Sequence, residues 1–535
     1  MPLLNSAASR YCLLPVVVIG FVAVLSLAAM LSSGALANQG LALAKVGTEQ
    51  VYFTYNGKPL LSFGTFSDFV FYAAEDAYDY RQWADWAAKY GMNHARAYLP
   101  GSWTHIEAFA QENGGSLDNV LFPYLETSPG SREFDLTRFN PAYWQRFREQ
   151  CQYLASKGII IDLLILNGWQ FASYSDEVRA LNWGGHFFNP DNNSNAFTDH
   201  LGDNLKNRFK FYHSVADGET ELFNAQKAYF EKIIEVTHDL GNIYYELVHE
   251  IGPNSANWAK TSQWIEAMAK VVRDRWAELE PDRPIILGID AGHLRGFPFS
   301  QAGGLPAPDS EIDWVFTRPY FDILVWGNVH HVANVREWRR HYKKPYIPQE
   351  SFDDIAQKWS YRHPEQRVHI RKYLWKLMTV KAQQLDVYMK ARKDVEDQPG
   401  YPHNYDPNGW NPFADDALML RHFWNSLRDY PNLDFKGHVV NAPVGHHLVL
   451  SSSKEAIAYL SSPTGIEGMA YSPGRLRLQG LALADGQYTA RFFDPEQGTV
   501  TTEAVSVVKG QARLNYPPFA DDMAVHLYRR FMLLD

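Results

Sequence analysis

Residues 222–250, LFNAQKAYFEKIIEVTHDLGNIYYELVHE, contain two elements whose order decides the fold class. Leu222–Leu240 is an amphipathic stretch, which predicts a helix. Ile243–His249 is a short apolar run, which predicts a buried strand. A helix followed closely by a buried strand is the repeating unit of a parallel α/β fold.

The same alternation extends from Leu60 to about Ala391 and includes eight predicted strands. The α/β fold is therefore predicted to be a closed (β/α)8 TIM barrel. A doubly wound open sheet is the alternative, but no glycine-rich fingerprint follows the first strand. The predicted strands are Leu60–Phe66, Asn93–Leu99, Ile159–Leu166, Ile243–His249, Ile285–Ile289, Ile323–Val329, Pro345–Glu350 and Leu385–Met389.

Two connections between these strands are long. Pro100–Asn140 follows strand two and Gly168–Glu221 follows strand three. Both leave the carboxyl end of a strand, which is the face where barrel enzymes place their sites. We expect these two loops to form the walls of a cleft.

From Gly437 onward the pattern changes to short alternating strands separated by turn residues, which predicts a small all-β sandwich. We therefore divide the chain into an N-terminal segment (1–37), a barrel domain (48–430) and a C-terminal β-sandwich domain (431–535).

The N-terminal segment has the organisation of a signal peptide. Arg10 precedes the apolar run Cys12–Leu31, and Ala35-Leu36-Ala37 supplies the small residues of a cleavage site. Cleavage predicts a secreted or periplasmic protein. The alternative is an uncleaved anchor that holds the protein in a membrane, facing away from the cytoplasm, because about 20 apolar residues can span a bilayer.

Charge and cysteine content exclude some classes of protein. The net charge of −10 argues against a nucleic-acid partner, which would require a basic patch or stripe. Removal of the N-terminal segment takes Cys12 away and leaves Cys151 as the single thiol, so the mature chain forms no internal disulfide. Stability must then come from the core.

Glutamates stand at the ends of two predicted strands. Glu250 ends strand four and Glu350 ends strand seven, so both would point into the cleft of a barrel from opposite sides. Glycoside hydrolysis requires two such carboxyl groups, one to protonate the leaving oxygen and one to attack the sugar or activate water. Arg96, at the end of strand two, could hold Glu350 ionised.

Three further segments, FDLTRFNPAYW (134–144), GIIIDL (158–163) and HFFNPDNN (186–193), accompany these glutamates. Together they resemble the superfamily of retaining barrel glycosidases related to cellulases, over about Leu60 to Ala391. The resemblance implies hydrolysis of O-glycosidic bonds in a poly- or oligosaccharide, with Glu250 as acid/base and Glu350 as nucleophile. It implies a carbohydrate as the partner, with no cofactor and no metal.

The sequence departs from that family at several positions. Members usually carry Asn before the acid/base, where it holds the sugar 2-hydroxyl, whereas this chain has His249. Imidazole can also donate that hydrogen bond. The tryptophan usual at the end of strand eight has no clear equivalent at Tyr388–Lys390, and Trp326, Trp169 or Trp410 is expected to supply the aromatic platform instead. The expected substrate contacts are Arg96, Asn167, Trp169, Trp183, His249, Trp326, His330 and His331.

The C-terminal region resembles the small β-sandwich known as a collagen-binding domain, which is found after such barrels. Its markers are Gly486–Pro495, Gly498 and Pro517–Asp521. A supporting or sugar-contacting role is favoured over collagen binding, because a fold does not determine a function.

Rival chemistries have weaker support. His249-Glu250 begins like the zinc-protease helix motif, but Pro253 stands where the second histidine should be. Adjacent His330 and His331 would point to opposite faces of a strand, which is a poor arrangement for one metal. No Gly-x-Ser-x-Gly elbow is present. The remaining alternative is a barrel that binds glycan without cleaving it.

Overall fold

The computed structural model of the chain describes residues 40–46, 50–66, 71, 79–112, 115–171, 182–202, 204–251, 257–292, 294, 304–327, 332–349, 364–387, 412–463 and 468–529. Their secondary structure consists of a parallel α/β part that extends to Val387 and an antiparallel part that begins near His438.

Eight parallel strands form the first part. Six of them pair in the order β10-β9-β8-β5-β4-β13, and β11 pairs with β12. A parallel bridge between Asp290 and Val325 joins β10 to β11, and the amide of Gln383 donates to the Tyr346 carbonyl (3.0 Å) and joins β12 to β13. The ring is therefore closed, and the predicted α/β barrel is confirmed. The barrel strands are β4 Ser62–Phe66, β5 His94–Tyr98, β8 Ile160–Leu164, β9 Ile243–Glu246, β10 Leu287–Gly288, β11 Leu324–Gly327, β12 Tyr346–Gln349 and β13 Gln384–Val387.

Helices follow the strands, as the amphipathic stretches of the sequence predicted. In α3, Asn140 caps the first turn by accepting from the Ala142 amide, Pro141 occupies the first helical position, and Phe147, Cys151 and Leu154 lie on the buried face. The helices are α1 Tyr80–Lys89, α2 Trp103–Glu112, α3 Pro141–Ser156, α4 Leu205–Arg208, α5 Ser214–Asp217, α6 Thr220–Thr237, α7 Trp258–Leu279, α8 Glu311–Thr317, α9 Val332–Tyr342, α10 Pro364–Thr379 and α11 Pro412–Ser426. Within the described residues, no helix is both long enough and apolar enough to cross a membrane.

A small antiparallel sheet, which the sequence analysis did not predict, packs against the amino-terminal end of the barrel. It consists of β1 Leu41–Val46, β2 Gln50–Tyr55 and β3 Lys58–Pro59. Phe53 is fully buried and shares a cluster with Ile160 and Tyr244 from inside the barrel, and its amide donates to the Gln383 side chain (2.9 Å). This sheet fills the floor of the barrel.

A short hairpin also lies in the first long loop, where β6 Tyr124–Glu126 pairs with β7 Phe134–Phe139. Strand β7 is the FDLTRF segment that was identified in the sequence, and it leads directly into α3.

The second part is an antiparallel all-β domain, as predicted. Its eight-stranded sheet has the order β14-β18-β21-β20-β19-β23-β16-β15, and its edge strands β14 and β15 lie side by side. Six strands of this domain were predicted from the sequence, at His447–Leu450, Ala456–Leu460, Arg475–Leu478, Gly486–Phe493, Val500–Val507 and Met523–Tyr528. The prediction omitted β14, β17, β21 and β22. The strands of the domain are β14 His438–Val440, β15 His446–Ser451, β16 Glu455–Ser461, β17 Ala470–Tyr471, β18 Gly474–Gln479, β19 Gly486–Phe493, β20 Val500–Val508, β21 Gln511–Tyr516, β22 Phe519–Ala520 and β23 Asp522–Tyr528.

The two parts share a buried interface. Arg371 on α10 forms an ion pair with Asp522 on β23 (2.8 Å), and neither side chain is more than 1% exposed. Beside this pair, the Trp375 ring stacks on Tyr459 with centroids 5.6 Å apart. The β domain is therefore packed on the barrel through α10.

Candidate active site

Three charged side chains lie inside the barrel, one on each of three adjacent strands. The Arg96 Nε on β5 is 3.8 Å from Asp162 Oδ2 on β8 and 4.0 Å from Glu246 Oε1 on β9, and all three side chains are fully buried. Buried charges are costly unless they are compensated by neighbours of opposite sign. Arg96 supplies a positive charge near both acids, which is enough to compensate one of them.

The two acids carry one more potential negative charge than Arg96 can balance. Burial, together with the nearby charge of Asp162, raises the pKa of Glu246 well above its ordinary value, and Arg96 opposes the shift. The raised pKa favours a neutral Glu246, which reduces the excess of negative charge around Arg96.

His249 lies above this group and is held at one ring nitrogen. Its Nδ1 is 2.8 Å from Arg96 Nη2 and 2.9 Å from Asp290 Oδ2, and the residue is only 5% exposed. Asp290 follows β10 and is itself buried. The ring is therefore positioned by residues from strands two and five of the barrel.

Glu250 is half-buried at the carboxyl end of strand four, and its backbone has a left-handed conformation with φ of 46°. Its amide nitrogen is 3.3 Å from Asp290 Oδ2 and donates to it. The Gly168 amide donates to the carbonyl of His249, the residue before Glu250 (2.7 Å). The end of strand three and Asp290 thus define the direction in which Glu250 leaves the sheet.

The two long loops lie against each other beside this site. A bridge joins Ser102 of the first loop to His186 of the second, and another joins Asn167 to His249. Inside the second loop, the Asn189, Asn192 and Asn193 side chains donate to backbone carbonyls. These amide contacts, together with a short 3-10 helix at Pro190–Asn192, give the HFFNPDNN segment a defined structure.

No family model matches the sequence, and no curated protein matches it. Solved structures do match. The chain is similar to a structure described as a glycoside hydrolase (11% identity, TM-score 0.54, covering 92% of this chain and 98% of that one). It is also similar to a glycoside hydrolase family 5 structure from Bacteroides vulgatus (12% identity, TM-score 0.54, 92% and 94% covered) and to a second structure from that organism (13% identity, TM-score 0.54, 92% and 83% covered).

The chain shares the fold of these structures. At such low identity the likeness concerns the fold of both domains and leaves the chemistry to be argued from the residues.

Within this fold, the structure brings together some of the residues predicted from the sequence. Arg96 and His249 are in contact, Asn167 pairs with the His249 backbone, and Glu250 follows directly. Trp183 is different, because it has no exposed surface and packs with Phe171 and His186. We therefore assign Trp183 to the support of the loop rather than to sugar contact.

Other predicted residues lie outside what the structure describes. Glu350, His330, His331 and Trp410 are outside the described residues. The backbones of Trp169 and Trp326 are described, in the turn Gly168–Phe171 and in β11, but the positions of their side chains are not. The predicted contact between Arg96 and Glu350 therefore stays a prediction.

Sequence reasoning missed Asp162, Glu246 and Asp290. Each follows or interrupts an apolar run, as in IIIDLL, IYYELV and LGID. An acid within a buried strand is a signal that could have identified the first two, because such a residue needs a charged or protonated partner.

Proposed function

We propose that the chain hydrolyses O-glycosidic bonds in a poly- or oligosaccharide by a retaining double displacement, with Glu250 as acid/base and Glu350 as nucleophile. The observation that carries the proposal is the position of Glu250. It is a half-buried carboxyl group at the carboxyl end of strand four, above a buried polar group, in a barrel with a glycoside hydrolase fold.

In the proposed first step, the Glu350 carboxylate attacks the anomeric carbon while Glu250 donates its proton to the departing glycosidic oxygen. The C–O bond to the leaving group breaks as the glycosyl–Glu350 ester bond forms. In the second step, Glu250 removes a proton from water, whose oxygen attacks the same carbon and releases Glu350. The two inversions retain the anomeric configuration.

Proton transfer requires that Glu250 reach the glycosidic oxygen from a constant direction. The Asp290 contact at its amide and the pairing of Gly168 with the His249 carbonyl both support this requirement. His249, held beside Glu250, is proposed to bind a sugar hydroxyl. The further proposed substrate contacts are Asn167, Trp169, Trp326, His330 and His331. Arg96, which like Trp183 has no exposed surface, is proposed to act through its contact with His249.

The test is hydrolysis of a panel of aryl glycosides by the wild type and by Glu350→Gln and Glu250→Gln. Glu231→Gln, on the surface of α6, is the matched control and should keep wild-type activity. Glu350→Gln should lose at least about 10³-fold in kcat, because no covalent intermediate can form. NMR of the first-formed anomer should show retention.

Full activity of Glu350→Gln would refute the nucleophile assignment, and an inverted first product would refute the double displacement. Saturable glycan binding by the wild type, with no turnover on the panel, would instead support the glycan-binding alternative.

We also propose that the protein acts outside the cytoplasm, either secreted or periplasmic. The support is the composition of residues 1–37, with its apolar run and Ala35-Leu36-Ala37. Mass spectrometry of the protein recovered from the medium or periplasm should find an N-terminus at residue 38. Recovery of uncleaved chain in the membrane fraction would support the anchored alternative.

A further inference from the structure

Asp290 contacts both consecutive residues at the end of strand four. Its Oδ2 lies 2.9 Å from His249 Nδ1 and accepts from the Glu250 amide (3.3 Å), while its Oδ1 accepts from the Gly292 amide (2.8 Å). It is 2% exposed and is placed by the pairing of its own amide with the Val248 carbonyl (3.1 Å).

We infer that Asp290 is a positioning residue, which fixes the backbone direction of Glu250 and the protonated nitrogen of His249. The inference rests on the proposed function for its consequence in catalysis, and on the contacts alone for its effect on His249.

The backbone part follows from the conformation of Glu250. A left-handed backbone is disfavoured for residues that have a Cβ, because the Cβ approaches the carbonyl oxygen. Glu250 adopts it with φ of 46°, and its amide points to Asp290. Loss of that acceptor removes a contact that holds the turn, so the Glu250 carboxyl group would sample other directions.

The His249 part follows from two incompatible neighbours at one nitrogen. Arg96 can only donate, so its contact requires Nδ1 without a proton, whereas an Asp290 carboxylate can only accept and requires Nδ1–H. One ring nitrogen satisfies one of these at a time.

The remaining contacts decide between the two. Arg96 already faces Asp162 and Glu246 within 4.0 Å, so its charge is compensated without His249. Both Asp290 oxygens accept from backbone amides, so Asp290 presents acceptors only. We therefore place the proton on Nδ1, toward Asp290.

The first arm of the test compares leaving groups. Asp290→Asn keeps the shape of the side chain but removes one acceptor oxygen. For phenyl glycosides, whose departure needs a proton from Glu250, kcat/KM should fall about 10- to 100-fold. For 2,4-dinitrophenyl glycosides, which depart without protonation, the fall should be less than about threefold.

The matched control is Asp322→Asn. Asp322 also accepts from a backbone amide, that of Leu287 (2.9 Å), and from Arg273 (2.7 Å), but it lies just before β11, at the opposite end of the barrel. Its substitution should affect both leaving groups equally. An equal loss for Asp290→Asn on both glycosides, or no loss, would overturn the inference. If Asp290→Asn does not fold, Asp290→Ser serves for the same comparison.

The second arm does not depend on activity. Histidine-selective ¹⁵N NMR, assigned with His249→Gln, should show a protonated Nδ1 in the wild type and a changed tautomer in Asp290→Asn. An unprotonated Nδ1 in the wild type would overturn the assignment. If the wild type cleaves no aryl glycoside, the proposed function fails, while this arm still decides whether Asp290 controls His249.

Discussion

Gly168 is the position where a single methyl group should disturb the proposed acid/base most directly. It is buried at the end of strand three, against the backbone of His249 and Glu250. A Cβ at this position would lie 2.4 Å from the Glu250 carbonyl oxygen and 2.7 Å from that of His249. Both are backbone atoms, so no side-chain rotation relieves the contact.

The size of the effect follows from the geometry. To restore a contact of 3.0 Å from 2.4 Å, the Glu250 carbonyl must move by about 0.6 Å. A displacement of 1 Å in catalytic geometry costs about 100-fold in rate. We expect Gly168→Ala to lower kcat/KM on phenyl glycosides by about 10- to 100-fold and to destabilise the fold by about 1–3 kcal/mol.

The assay combines steady-state kinetics with urea unfolding, and Gly202→Ala is the control. Among the described residues, the nearest atom to a Cβ at Gly202 would be the side-chain Nδ2 of Asn207, at 3.5 Å. That is an ordinary van der Waals contact, so the variant should match the wild type in both measurements. A Gly168→Ala enzyme within twofold of wild-type kcat/KM would refute the idea that this close approach determines the position of Glu250.

Three further outcomes are expected. Asp522→Asn removes the buried carboxylate that pairs with Arg371 and leaves, among the described residues, only the partly exposed Glu496 (3.3 Å) as its ion-pair partner, so it should lower the free energy of unfolding by about 3–5 kcal/mol in urea titrations; a change below about 1 kcal/mol would contradict the buried ion pair. Burial raises the pKa of Asp416 to about 6 despite Arg367, so its protonated form is favoured in the folded state, and the stability it contributes is lost as pH rises from about 4 to 7. Asp416→Asn should therefore gain stability relative to wild type over that range, and a constant difference would contradict this. Burial also raises the pKa of the Cys151 thiol, so in protein beginning at residue 38 Ellman's reagent should label it only after denaturation; rapid labelling of the native protein would show that the thiol is accessible.

The barrel could be predicted because buried parallel strands are continuous apolar runs. Ile159–Leu166 was predicted and Ile160–Leu164 is the strand. The floor sheet was missed because its strands are short and its key residue, Phe53, is buried only by contacts with Tyr244 and other distant barrel residues. The local sequence pattern around Phe53 does not indicate which distant residues will bury it.

The site divides in the same way. Glu250 was predicted because a carboxylate at the end of an apolar strand lies at the open face of any barrel. Asp290 was missed because its contacts to His249 and the Glu250 amide cross from strand five to strand four. Which side chains meet across adjacent strands depends on how the closed sheet is staggered, and that stagger is a property of the whole ring.

The sequence by itself therefore determined the fold class, the all-β domain and the glutamate at the end of strand four, because hydrophobic periodicity and strand ends are local properties. Only the tertiary structure decided that Trp183 is buried and that Arg96 is buried in contact with His249. It also decided that Asp290 contacts both residues of the His249-Glu250 pair. These contacts join residues that are far apart in the chain, so they exist only once the barrel has closed.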